Sequence, residues 1–274
     1  MRPTLVALDL DGTLLEHPGT IAPAHAQAVR ELLARGIQVM LVTGRPLVTT
    51  TWVWRALGLT TPVVCFNGSW IGRPDAPALI STPLSPELVR SGLAALTSRD
   101  GAICAYPDPQ SWIMNREIPH TQRWREVYGV PIAVVPERFQ NWQGQSFKLM
   151  YVCSPKAIED CYPQLKAQLR ATHEVVLSQE DRVEILPLGV TKASGLAHVA
   201  ERLGIPAADV WAVGDAENDL EMLRWAGHGC AMGQAVPALR AVARHILPTV
   251  HECGLTALPA LIAGHADAAD AAHA

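Results

Sequence analysis

Four consecutive apolar residues, Leu5-Val6-Ala7-Leu8, run directly into Asp9-Leu10-Asp11-Gly12-Thr13. A short apolar run bounded by turn residues reads as a strand buried on both faces, the pattern of a parallel sheet covered by helices. In such sheets ligands sit beyond the carboxyl ends of the strands, which is where this acidic turn falls. Asp9 and Asp11 are two residues apart, so in extended backbone their carboxylates project the same way. Like charges that close are costly unless a cation neutralises them, and oxygen-rich, cysteine-free surroundings suit Mg2+. Gly12 permits a tight turn beside whatever is bound. An Asp-Gly pair also marks a plain surface turn. An EF-hand loop fits poorly, because its glycine stands at the sixth position and here it stands at the fourth.

The same rhythm continues along the chain. A helix is expected from Pro23 to Ala34, closed by Gly36, and a second buried strand from Ile37 to Val42, ending in Thr43-Gly44-Arg45-Pro46. A helix through Trp52, Val53, Ala56 and Leu57 precedes a third strand, Val63 to Phe66, which breaks at Asn67-Gly68. Strand and helix in this alternation build right-handed βαβ units, hence a parallel sheet.

The pattern changes near residue 84. Ser85-Pro86-Glu87 starts a helix that runs to about Ser98, with strands at Ile103–Tyr106 and Lys148–Cys153, and 107 to 147 can be placed only loosely. His173–Leu177 and Arg182–Leu186 read as paired strands joined by a turn at Gln179-Glu180-Asp181. The alternation resumes with a helix from Lys192 to Leu203 and a strand Val210–Val213 that ends in Gly214-Asp215-Ala216-Glu217-Asn218-Asp219. The fold class is therefore α/β, a parallel sheet with helices on both faces and an α+β section inserted at roughly 84–187, whose junctions are expected to act as hinges. The low-complexity tail after Gly264 is expected to fray.

With 274 residues, 49% of them hydrophobic and 18% charged, the chain can bury a sizeable core. Twenty-two Lys and Arg stand against 26 Asp and Glu, a formal charge of −4, so nucleic acid is not favoured as a partner. No apolar run approaches a membrane span, and Asp9 interrupts any signal peptide. The six cysteines include no CxxC pair, which points to a reduced, cytoplasmic protein. Oligomeric state is not legible.

Asp215 ends a buried strand as Asp9 does, so in one parallel sheet both carboxylates would face the same crevice. Asn218 and Asp219, three and four residues on, would lie near that face. Thr43 also sits at a strand's carboxyl end, where its hydroxyl can donate to a phosphoryl oxygen and Gly44 leaves the backbone amides uncovered. Lys192 opens a helix, the electrostatically unfavourable end for a cation, as if it serves an anionic ligand.

Taken in order, Asp9-Leu10-Asp11-Gly12-Thr13, Thr43-Gly44-Arg45, Lys192 and Gly214-Asp215-x-x-Asn218-Asp219 resemble the haloacid dehalogenase-like hydrolase superfamily. The large insert and Ala231-Met232-Gly233 are similar to its Cof-type branch, which carries a type IIB cap. The resemblance implies a Rossmann-like core from 1–83 and 188–274, with 84–187 as an α/β cap that sets substrate specificity. It implies a Mg2+-dependent phosphatase of small phosphorylated metabolites, such as sugar phosphates or phosphorylated cofactors, with no membrane or nucleic-acid partner.

Residue by residue, the resemblance assigns Asp9 as nucleophile and Asp11 as general acid and base. Thr43 and Lys192 would bind the phosphoryl oxygens, Lys192 restraining the nucleophile as well. The phosphate site would comprise Asp9, Asp11, Thr43, Gly44, Lys192 and Asn218. Mg2+ would be held by the Asp9 and Asp215 carboxylates and the Asp11 backbone carbonyl, with Asp219 acting behind them through water. The chain departs from the family pattern at Ala216, Ala193 and Gln234, none of which removes a charge or nucleophile. A phosphomutase on the same core, or a non-catalytic phosphometabolite-binding module, remains the alternative. In the insert, Lys148, Arg182, Glu184 and His120 are polar candidates for reading the substrate, with the solvated surface as the plainer expectation, and Trp112, Trp124 and Trp142 are candidates to stack on a ring, with core or interface packing as the plainer one.

Overall fold

The computed structural model describes residues 4–97 and 99–271. It opens with β1 (Leu5–Leu8), α1 (Pro23–Ala34), β2 (Gln38–Leu41) and α2 (Leu47–Ala56). Three short strands follow: β3 (Val63–Cys65), β4 (Trp70–Gly72) and β5 (Ala78–Ser81). Next come α3 (Pro86–Leu96), β6 (Ala102–Ala105), β7 (Trp112–Met114), α4 (Pro119–Tyr128), β8 (Ile132–Val134), α5 (Pro136–Gln140) and β9 (Leu149–Val152). Then α6 (Pro155–Leu169) leads into β10 (His173–Gln179) and β11 (Arg182–Pro187). Alternation resumes with α7 (Lys192–Leu203), β12 (Val210–Gly214), α8 (Leu220–Trp225), β13 (His228–Ala231), α9 (Pro237–Val242), β14 (His245–Ile246) and α10 (Leu258–Ala271). Ser98, where the helix now labelled α3 was expected to end, lies outside the described residues.

Two compact units emerge. The first comprises Met1–Leu41, Val53–Thr61 and Val199–Ala274. Its sheet has the order β14-β13-β12-β1-β2, with every pair parallel. Leu5 to Leu8 and Val210 to Val213 are buried throughout, as continuous apolar runs in a doubly covered sheet should be. From β1 the chain steps outward to β2, whereas β12, β13 and β14 step outward the other way. The direction of winding reverses between β1 and β12, which leaves a crevice at their carboxyl ends. In α1, Ala28, Val29 and Leu32 face the core. Residues 265–271 belong to α10, and residues 272–274 lie outside the described residues. The alanines of 265–271, which suggested a fraying tail, are strong helix formers.

The second unit comprises Val42–Trp52 and Pro62–His198. A six-stranded sheet, β10-β11-β9-β6-β7-β8, is antiparallel except for the β7–β8 pair. Leu93 and Leu96 of α3 and Ile158 and Leu165 of α6 pack with Leu149, Val183 and Ile185 of the sheet. Both helices begin Ser-Pro, and the Ser85 and Ser154 hydroxyls accept the Leu88 and Ala157 amides at 3.3 and 3.4 Å.

The strand at Val63, read as a third parallel strand, pairs antiparallel with β4 in a separate sheet, β3-β4-β5. Its parallel partner is a single bridge, Val42 to Val64. The reason is local: Phe66 and Asn67 both adopt positive φ, 51° and 53°, and reverse the chain immediately after β3.

Candidate active site

In the first unit, β1 and β12 run in register from Leu5 opposite Val210 to Leu8 opposite Val213. The Asp9 amide continues the ladder by donating to the Val213 carbonyl at 3.0 Å. Asp9 and Asp215 therefore leave the sheet at the same end, one on each side of the winding reversal. The Asp9, Asp215 and Asp219 side chains offer carboxylate oxygens that lie within 4.8 Å of one another. Asp9 is 4% and Asp219 0% exposed. Asp11 is half-buried and contributes no carboxylate to this group; its backbone bridges to Leu15 across the turn.

The loops close tightly around these acids. Gly12 has φ +79°, and a Cβ there would overlap the Asp215 carboxylate. Thr13 Oγ1 donates to Asp215 Oδ1 at 3.4 Å. Asp219 turns back on its own loop, where Oδ2 accepts the amides of Asp215 and Ala216, each at 3.1 Å. A Cβ on Gly214 would collide with that carboxylate, so Gly214 makes room for it. Ala216 has extended backbone, φ −110° and ψ 173°, which requires no glycine. Gln234 donates to the Gly12 carbonyl at 2.6 Å and accepts the Val250 amide at 3.0 Å, so its longer side chain ties the acidic turn to a neighbouring loop.

Three carboxylates this close repel one another, and withdrawal from water raises the cost. An all-oxygen donor set at a shared strand end fits a hard divalent cation, and Asp9 and Asp215 are the groups that would hold Mg2+. Burial pushes the thiols of Cys65, Cys104 and Cys230 up to about 12, so these three stay protonated and are not nucleophiles.

Thr43, Gly44 and Lys192 belong to the second unit. Thr43 is buried; its amide donates to the Val64 carbonyl at 2.8 Å and its carbonyl accepts the Asn67 amide at 3.0 Å. The Arg45 amide donates to Thr43 Oγ1 at 3.1 Å. The first turn of α7 packs on the same strand and loop. A Cβ on Gly195 would stand 2.7 Å from Val64 Cγ1, and one on Gly68 would stand 2.6 Å from the Thr191 carbonyl. Thr43 and the helix start that carries Lys192 thus meet at one end of β3. Lys192 is 2% exposed, and a lysine withdrawn from water at the positive end of a helix is best offset by an anion.

Two of the four polar candidates in the insert depart from expectation. Lys148 and Glu184 are not solvated; they are 2% and 3% exposed and pair at 2.5 Å. Glu184 also accepts from Asn67 Nδ2 at 2.6 Å, and Lys148 donates to the Gly44 carbonyl at 2.8 Å. A buried charge that is paired and hydrogen-bonded is the form in which such burial is tolerated. Sequence reading missed Asn67 as more than a strand breaker, although an Asn-Gly pair directly after a buried strand is a signal for left-handed backbone. Trp112, Trp124 and Trp142 are buried as expected, and the Arg182 guanidinium lies 5.4 Å over the Trp124 ring.

A family model of haloacid dehalogenase-like hydrolases matches residues 6–257. The chain belongs to this family. Among its relatives, the HMP-PP phosphatase of Cronobacter sakazakii is 29% identical over 259 residues, covering 93% of this chain and 92% of the relative. The 5-amino-6-(5-phospho-D-ribitylamino)uracil phosphatase YitU of Bacillus subtilis is 29% identical over 275 residues, covering 93% and 95%. In fold, the chain is similar to a subclass IIB sugar phosphatase with a TM-score of 0.80 at 19% identity, covering 95% of this chain and 99% of that one. The Cof-type, type IIB resemblance carried by the motifs thus agrees with family and fold. No helix among the described residues is long and apolar enough to cross a membrane.

Proposed function

We propose that this haloacid dehalogenase-like hydrolase is a Mg2+-dependent phosphomonoester hydrolase of a small phosphorylated metabolite, working through an aspartyl-phosphate on Asp9. The observation that carries the reading is the convergence of Asp9, Asp215 and Asp219 at the reversal between β1 and β12. The relatives' names supply the substrate class: HMP-PP and a phosphorylated ribitylamino-uracil.

Phosphoryl transfer needs an in-line nucleophile and positive charge around the phosphoryl oxygens. In this reading an Asp9 oxygen attacks phosphorus, the bond from phosphorus to the leaving alkoxide breaks, and the alkoxide takes a proton from Asp11. The ionised Asp11 then accepts a proton from water, whose oxygen attacks phosphorus and releases phosphate and the Asp9 carboxylate. Thr43, Gly44, Lys192 and Asn218 bind the phosphoryl group through hydroxyl, backbone amide, ammonium and carboxamide. When bound, Mg2+ supplies positive charge against the phosphoryl oxygens and offsets repulsion from the carboxylates. Asp9 and Asp215, with the Asp11 carbonyl, would hold it, while Asp219 fixes the Asp215 loop. Residues 84–187 act as the cap that reads the rest of the substrate, on a core of 1–83 and 188–274, in the cytoplasm.

The test is phosphate release from sugar phosphates, HMP-PP, the ribitylamino-uracil phosphate and pyridoxal phosphate, with Mg2+ or chelator, beside Asp9→Asn. Release that requires both Mg2+ and Asp9 is expected. Migration of the phosphoryl group within a sugar phosphate, with little free phosphate, would instead identify a mutase. Binding without turnover would identify a non-catalytic module.

A further inference from the structure

Lys148 and Glu184 lie 36 residues apart in sequence and are buried side by side on adjacent antiparallel strands or their ends. Their polar atoms reach the segments that follow β2 and β3. Lys148 Nζ donates to the Gly44 carbonyl at 2.8 Å and to Glu184 Oε1 at 2.5 Å. Glu184 Oε2 accepts from Asn67 Nδ2 at 2.6 Å. The backbone amide of the same Asn67 donates to the Thr43 carbonyl at 3.0 Å. Both members of the ion pair are therefore connected to Thr43, one through Gly44 and one through Asn67.

The connection through Gly44 runs within one rigid unit. The carbonyl that Lys148 holds and the amide that meets Thr43 Oγ1 belong to the same planar peptide, Gly44–Arg45. Fixing that carbonyl fixes the direction of the Arg45 N–H. The N–H in turn occupies an acceptor position of the Thr43 hydroxyl, at 3.1 Å. With its oxygen engaged as acceptor, the hydroxyl turns its proton away from the Arg45 amide and can donate to an anion.

We propose that Lys148 and Glu184 are positioning residues that orient the Thr43 hydroxyl, through the Gly44–Arg45 peptide and Asn67, as a donor to the phosphoryl group. The proposal rests on the reading of Thr43 as a phosphoryl-binding residue. It explains why a charged pair is kept where well-packed apolar residues would be at least as stable. The Lys148 ammonium holds the Gly44 carbonyl while neutralising the glutamate that holds Asn67.

Two measurements on Lys148→Met test this, and each is repeated on Lys148→Met/Glu184→Gln, in which no charge is left buried without a partner. The first is hydrogen exchange at the Arg45 amide. Exchange faster by about tenfold or more is expected in both variants under conditions where both remain folded. Unchanged protection in either folded variant would overturn the proposal, and this readout does not depend on activity. The second is inhibition of p-nitrophenyl phosphate hydrolysis by inorganic phosphate, with KM and kcat determined separately. Loss of one oriented hydrogen bond should weaken phosphate inhibition about tenfold. In a Thr43→Val background, the same Lys148→Met change should alter phosphate inhibition less than about twofold, because the group it orients is gone. An equal loss in both backgrounds would show that Lys148 acts otherwise and would overturn the proposal. If the wild-type chain hydrolyses neither p-nitrophenyl phosphate nor any phosphate ester of the panel above and does not bind phosphate, the phosphatase reading fails, and the Arg45 exchange still decides whether the pair orients the loop.

Discussion

One oxygen of Asp219 accepts the backbone amides of both Asp215 and Ala216, at 3.1 Å each. The carboxylate is fully buried and holds the loop that presents Asp215. Asp219→Ala removes the shared acceptor and strands two amides, which costs about 1–3 kcal/mol. We expect a lower melting temperature and an activity curve that needs at least about tenfold more Mg2+ to saturate, from a conformational penalty of that size. Titrating activity with Mg2+ checks it; an unchanged half-saturation in the folded variant would show that the loop holds itself.

Gly12 combines a positive φ with the absence of a Cβ, and both are used. Gly12→Ala should displace the Asp215 carboxylate, destabilise the chain by about 3 kcal/mol and reduce kcat far more than KM for the substrate. Urea unfolding and steady-state kinetics together read this out. A variant with wild-type stability and turnover would mean that the turn relaxes without consequence.

Removing the cation should leave the acidic group mutually repulsive. Mg2+ in hundredfold excess over its dissociation constant is expected to stabilise the chain by about 2.7 kcal/mol. Thermal unfolding with Mg2+ and with chelator should show this shift in the wild type and lose most of it in Asp215→Asn. Equal shifts in both proteins would place the ion elsewhere.

His228 gives the stability a pH dependence away from the acidic group. Burial, then the nearby His265, His245 and Arg244, push its pKa down from 6.5 to about 4. Its ring stacks on Trp211 with centroids 4.1 Å apart. Between these two values the unfolded chain binds a proton that the folded chain refuses, so stability is complete above the unfolded pKa and falls as pH drops toward 4. The loss is on the order of 2 kcal/mol. Comparing urea unfolding at pH 7 and pH 5 should show a smaller loss in His228→Phe, which keeps the stacked ring without the titration. Identical losses would assign the pH dependence to other groups.

The strand ends were legible because their signals are local. Leu5–Leu8 and Val210–Val213 are uninterrupted apolar runs, and parallel pairing then puts the acids that follow them at the same carboxyl end of the sheet. The strands β4 and β5 were not legible: Trp70–Gly72 has three residues, and Ala78–Ser81 is mostly exposed, so neither shows a period. Nor was the burial of Lys148 and Glu184. It depends on the register of β11 against β9, which pairs Glu184 with Met150, and on a left-handed turn at Phe66 and Asn67. Charges satisfied only by such distant partners look, in sequence, like any solvated pair.

The most direct measurement is to quench the Mg2+-loaded enzyme with acid during turnover of its best substrate and locate the phosphoryl adduct by peptide mass spectrometry. An acid-stable adduct on Asp9, lost in Asp9→Asn together with turnover, is the predicted result. Turnover that persists at the wild-type rate in Asp9→Asn, or an adduct on another residue, would contradict Asp9 as the nucleophile.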